Sequence, residues 1–125
     1  MANLNLNVQI FPFFDSVKNP LDSSKTSDSF KNPGYDNLSL ELSGTGSAVL
    51  AIEGCINTQD ENGMALEDTD CSWSPLAILS AKNYSQAQSV SGNGIYFIGV
   101  SGISRIRVVA SSVSGEVTVV GAFSK

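Results

Sequence analysis

The sequence predicts an all-β protein: an antiparallel β-sandwich or jelly-roll-like domain of about seven to eight strands with an extended N-terminal arm. Three observations carry this. Apolar residues recur with a period of two or in short continuous runs, and helical periodicity is absent. The stretch 94–123, GIYFIGVSGISRIRVVASSVSGEVTVVGAF, holds three β-branched and aromatic runs separated by Ser-Gly turns, which reads as an antiparallel meander. Turn signals return every eight to twelve residues or so, as they do in sandwiches and jelly rolls.

Residues 3–10 (NLNLNVQI) alternate polar and apolar, the mark of a strand with one face on a core. Pro12 is expected to end that strand, because it cannot donate to a ladder. Residues 15–34 have no period and are rich in Ser, Asp, Lys and Asn, with turn chemistry at Asn19-Pro20 and Asn32-Pro33-Gly34. They read as a connector or an arm lying on a neighbouring subunit. The chain therefore divides into residues 1–34, a strand and extended arm, and 35–125, the sandwich.

Within the sandwich, residues 37–43 place Leu38, Leu40 and Leu42 on one face. Gly44-Thr45-Gly46 turns the chain into 48–56, an almost continuous apolar run expected to be covered on both faces. Residues 58–72 form a polar loop with five acids: Asp60, Glu61, Glu67, Asp68 and Asp70. Residues 73–79 (WSPLAIL) are predicted to form one strand, with Pro75 pointing to an edge or a bulge. Residues 81–92 are polar and hold one helical turn at most. The meander follows as 95–100, 103–110 and 116–123.

The 125 residues suit one domain that buries about two-thirds of its unfolded surface without staples. Charged residues are only 15% of the chain and the net charge is −5. The negative balance disfavours nucleic acid and anionic membrane surfaces. No apolar run approaches the ~20 residues that span a bilayer. Residues 1–14 lack the cationic start and apolar core of a secretory signal, so synthesis in a cytoplasm is expected.

Reactive constellations are scarce. The sequence has no histidine, which removes the usual general base and most zinc sites. No glycine-rich phosphate loop opens a helix. Two carboxylates suffice for a glycosidase, but the five acids share one polar loop, where solvation is their ordinary state. The same loop lacks the ligand spacing of a helix–loop–helix calcium site. No catalytic residue, cofactor or metal site is expected. Cys55 and Cys71 flank the loop, and two states stay open: a bridge, or two reduced thiols as a reducing compartment dictates.

Binding candidates are few. Phe11, Phe13 and Phe14 are either a plug for the sandwich or anchors into a partner's pocket. Arg105 and Arg107 share one strand face and either pair with acids of an adjacent chain or keep that face soluble. Trp73, Tyr84 and Tyr96 are the candidate members of a sugar-stacking platform.

The runs Trp73-Ser74-Pro75-Leu76-Ala77-Ile78, Asn83-Tyr84-Ser85, Gly94 through Val108 and Ser114-Gly115-Glu116-Val117-Thr118-Val119, together with Leu38 through Thr45, resemble small β-sandwich virion proteins of tailed bacteriophages. The acidic segment is longer than the tight hairpin expected before the Trp. The resemblance covers 38–123 and is one of strands and turns, with no catalytic residues to carry over. It implies a non-enzymatic virion protein acting by assembly, as a capsid decoration or head-fibre component. Its partners would be other virion proteins and further copies of itself, with a trimer favoured. The alternative is a tail or baseplate carbohydrate-binding module for host recognition.

Overall fold

A computed structural model describes residues 8–15 and 20–125, with side chains from residue 12 onward. Among the described residues it contains twelve strands, more than the seven to eight expected, and a single 3-10 turn. The excess consists of two-residue strands that no periodicity can announce. In chain order the strands are β1 (Val8–Phe14), β2 (Lys25–Thr26), β3 (Phe30–Lys31), β4 (Asn37–Ser43), β5 (Ser47–Cys55), β6 (Ser74–Pro75), β7 (Ile78–Ser80), β8 (Gln86–Ala87), β9 (Val90–Ser91), β10 (Gly94–Gly99), β11 (Arg105–Ser114) and β12 (Thr118–Ser124).

They form two antiparallel sheets, a β-sandwich. Sheet 1 runs β1-β12-β4-β10-β7-β8. Sheet 2 runs β2-β11-β5-β6, with β3 also on β11 and β9 also on β5. The meander is therefore corrected. β10 and β12 lie in sheet 1 on either side of β4, while β11 lies in sheet 2 against β5. The Val-Ser-Gly and Ser-Val-Ser-Gly segments carry the chain from one sheet to the other. Three adjacent strands with short turns look the same in sequence whether they pair with each other or alternate across a sandwich.

The segment 73–79 is corrected in the same way. Ser74-Pro75 pairs with β5 in sheet 2, whereas Ile78–Ser80 pairs with β10 in sheet 1. Pro75 sits on an edge strand, where its missing N–H costs no ladder bond. The chain crosses again between β8, on β7, and β9, on β5.

Alternation makes the core. Leu38, Leu40 and Leu42 of β4, Tyr96 and Ile98 of β10, and Val119 and Phe123 of β12 point inward from sheet 1. Leu50 and Ile52 of β5 and Ile106, Val108 and Ala110 of β11 meet them from sheet 2.

The first strand does not stop at Pro12. β1 is an edge strand paired with β12, and its register slips between Pro12 and Phe14. This bulge breaks the alternation, so the consecutive Phe13 and Phe14 both turn inward and are buried. Phe13 meets Phe30 edge to face, with centroids 4.8 Å apart.

Residues 20–34 run along the chain's own β11. Leu21 is buried and bridges Val117. Between β2 and β3, Ser27 N–H donates to the Val108 carbonyl (2.8 Å) and its Oγ accepts from Val108 N–H (2.9 Å). Asn32 ties the end of the segment down: its Nδ2 donates to the carbonyls of Tyr35, Val100 and Ile103 at 2.9–3.1 Å. Its Oδ1 accepts from Tyr35 N–H at 2.8 Å.

Candidate functional site

The predicted binding residues separate in space. Phe13 and Phe14 plug the core and present no surface to a partner; the side chain of Phe11 lies outside those described. Tyr96 is also buried, and its hydroxyl sits 2.7 Å from the Gly92 carbonyl and 3.1 Å from that of Ser91. Burial pushes its phenol above the ordinary value. Trp73 is half-buried beside sheet 2 and donates its indole N–H to the Asp68 carbonyl at 2.8 Å. The Arg107 guanidinium covers its ring. Tyr84 is 74% exposed in the β7–β8 turn of sheet 1, held in left-handed backbone at φ 57°. These three aromatics form no common platform.

Arg105 and Arg107 engage acids of their own chain. Arg107 Nε and Nη2 both reach Glu53 Oε1 at 2.8 Å. Arg105 Nη1 meets Asp68 Oδ1 at 3.0 Å, and Ser29 Oγ donates to the same oxygen at 2.9 Å. Asp68 thus joins the acidic loop to β11 and to the β2–β3 segment. Asp60 serves its own turn, accepting from the N–H groups of Asn62 and Met64. Among the described residues no three His, Cys, Asp or Glu side chains converge as metal ligands.

The outer face of sheet 1 offers the better candidate site, and the sequence reading missed it. Opposed residues of an antiparallel pair share a face. The register therefore lines up Ala122, Ser39, Phe97, Leu79 and Gln86 in one row across β12, β4, β10, β7 and β8. The next row holds Val120, Glu41 and Ile95, and another holds Ser124, Asn37 and Gly99. Glu41 is the one charged residue in these rows. Phe97 and Ile95 stand out from the strip, 41% and 47% exposed.

Beside Phe97 lies a cleft of about 550 Å³ whose lining includes Asn37, Ser39, Leu79, Gln86 and Gly99. Gly99 has no side chain to fill it, and a Cβ there would meet nothing within 4 Å. The cleft joins an aromatic edge to two amides and two hydroxyls. A signal for the strip existed in the sequence. In GIYFIG, Ile95 and Phe97 alternate with Tyr96 and Ile98, so one apolar pair must leave the core.

Among solved structures the chain is similar to the SPBc2 prophage-derived protein YomS: TM-score 0.74 and 19% identity, over 95% of this chain and 94% of that one. It is also similar to the PBSX exported protein XepA: TM-score 0.71 and 17% identity, over 94% of this chain and 38% of that one. The chain thus spans well under half of XepA. No family model matches the sequence, and no curated protein does. The two likenesses establish the sandwich architecture across nearly the whole chain.

Proposed function

We propose that this protein is a non-enzymatic structural component of a bacteriophage particle, and that it assembles through the outer face of sheet 1. The observation that carries the assembly role is the strip around Ile95 and Phe97, in which Glu41 is the single charge. Two large apolar side chains stand in a field of Ser, Ala, Gly and Val, a composition suited to close contact with another surface. The phage setting is supported by the near full-length likeness to a prophage-derived protein. It is supported also by the strand-and-turn resemblance to tailed-phage virion proteins. The absence of catalysis is supported by the lack of histidine, by the engagement of Asp60 within its own turn and by the pairing of Asp68 with Arg105.

The surface a partner takes is accordingly sheet 1, not Phe13 and Phe14, which are buried. The partners are virion proteins or further copies of this chain, a trimer being the favoured oligomer. The location is a capsid decoration or head fibre, for which one compact domain suffices. Phe97→Glu tests this. The variant should keep its β-type circular dichroism but become monomeric and be missing from purified particles. A Phe97→Glu protein that oligomerises and incorporates as the parent does would overturn the proposal.

A second reading is favoured by the cleft beside Phe97. An aromatic ring flanked by Asn37, Gln86 and Ser39 has the mixed chemistry that binds a sugar, so a host-recognition module is the alternative. Gly99→Val discriminates. The new Cβ enters open space, so the fold should be kept, while the added methyl groups narrow the cleft. Glycan-array binding by the parent that is lost in this variant supports the second reading. Absence of glycan binding by the parent removes it.

A further inference from the structure

We propose that Cys55 and Cys71 form a disulfide site: two thiols, free in this structure, placed to close a bridge across the base of the acidic loop.

The placement follows from register. Cys55 ends β5, and its cross-strand partner on β11 is Arg105. Directly opposed residues share a face, so Cys55 and Arg105 lie on the outer side of sheet 2, as do Glu53 and Arg107 two residues along. Cys71 arrives on the same face from the far end of the loop. Arg105 Nη1 donates to its Sγ at 3.3 Å and to Asp68 Oδ1 at 3.0 Å. One guanidinium therefore fixes both Cys71 and the residue three positions before it.

The segment is pinned from its other side as well. Cys71 N–H donates to the Asp68 carbonyl at 3.3 Å, and the Trp73 indole donates to that same carbonyl at 2.8 Å. Burial pushes the Cys71 thiol up, and a hydrogen bond and charge from Cys55 add to this, while Arg105 opposes. Cys55 is buried, but Cys71 is half-exposed and open to a small oxidant.

The chemistry is thiol–disulfide exchange. The Cys71 thiolate attacks one sulfur of a low-molecular-weight disulfide such as oxidised glutathione and releases one thiolate. The Cys55 thiolate then attacks the Cys71 sulfur of the mixed disulfide and releases the second. The protein loses two protons and two electrons, and the small disulfide becomes two thiols. A reducing cytoplasm keeps the pair open, and oxidising surroundings close it. The bridge encloses residues 56–70.

The full chain, purified under reductant, is incubated at pH 8 with oxidised glutathione and analysed by intact mass and peptide mapping. The expected product is about 2 Da lighter, has a 55–71 crosslink, and melts on the order of 10 °C higher. Dithiothreitol should reverse all three changes. Cys55→Ser and Cys71→Ser should each lack the crosslink and the rise in Tm. If the parent instead keeps two alkylatable thiols, or stops as stable mixed disulfides, the proposal is overturned. The parent's own mass decides this even if either serine variant fails to fold.

Discussion

The guanidinium of Arg107 lies 4.1 Å from the centre of the Trp73 ring. The same guanidinium holds Glu53 Oε1 through two nitrogens, so it ties the end of the acidic loop to the outer face of sheet 2. A planar, delocalised cation stacks on indole and binds a carboxylate together, which a lysine ammonium does not do. Arg107→Lys should therefore cost about 1 kcal/mol despite keeping the charge. Trp73 is the single tryptophan, so its fluorescence should shift to the red in the variant. Urea unfolding followed at that emission measures the cost, and an unchanged midpoint and spectrum would contradict the stacking role.

Asn32 carries the turn between the β2–β3 segment and β4. Its amide reaches three carbonyls from two parts of the chain. Asn32→Asp keeps the shape but replaces the donor with a charge facing those carbonyls. The expected loss is about 1–3 kcal/mol by chemical denaturation. The loss should shrink below the carboxyl's own pKa, where a protonated Asp donates again.

Gly46 shows where a turn leaves no room. Its N–H donates to the Glu116 carbonyl at 2.8 Å, packing two turns backbone against backbone. A Cβ there would overlap the Ser114 carbonyl oxygen and lie 2.6 Å from Glu116 N. Gly46→Ala should destabilise by about 1–3 kcal/mol through displaced backbone. Gly99→Ala is the control, since its Cβ meets open space and should move the midpoint little.

Tyr96 links the core to alkaline stability. Burial raises its phenol in the folded state, so the neutral form is favoured there. Its contribution is fully present below the unfolded-state value of about 10 and is lost as pH rises through the higher folded value. Tyr96→Phe should cost about 1 kcal/mol at pH 7 by removing the hydroxyl bonded to the Ser91 and Gly92 carbonyls. As pH rises above about 10 the difference between the two proteins should narrow, as measured by urea midpoints.

Much of the sandwich is legible in the order of residues. The alternation of Leu38, Leu40 and Leu42 marks β4 with its ends in place, and Gly44-Thr45-Gly46 marks the turn into β5. Period two reports which residues share a face, a property of a few neighbouring positions. Partner choice leaves no such local trace. That β11 joins β5 rather than β10 and β12 depends on contacts between residues far apart in the chain. Residues 73–79 likewise read as one strand until Ser74-Pro75 and Ile78–Ser80 are seen on opposite sheets.

The candidate sites divide along the same line. Composition alone settles that the chain has no histidine chemistry and little charge. Only the packed molecule turns Phe13 and Phe14 inward through a bulge, leaves Phe97 and Ile95 on an open face, and sets Cys71 against Arg105, the cross-strand partner of Cys55. Side-chain type and spacing are written locally. Which face is covered and which loop end returns to which strand follow from closing loops and burying apolar area across the whole domain at once.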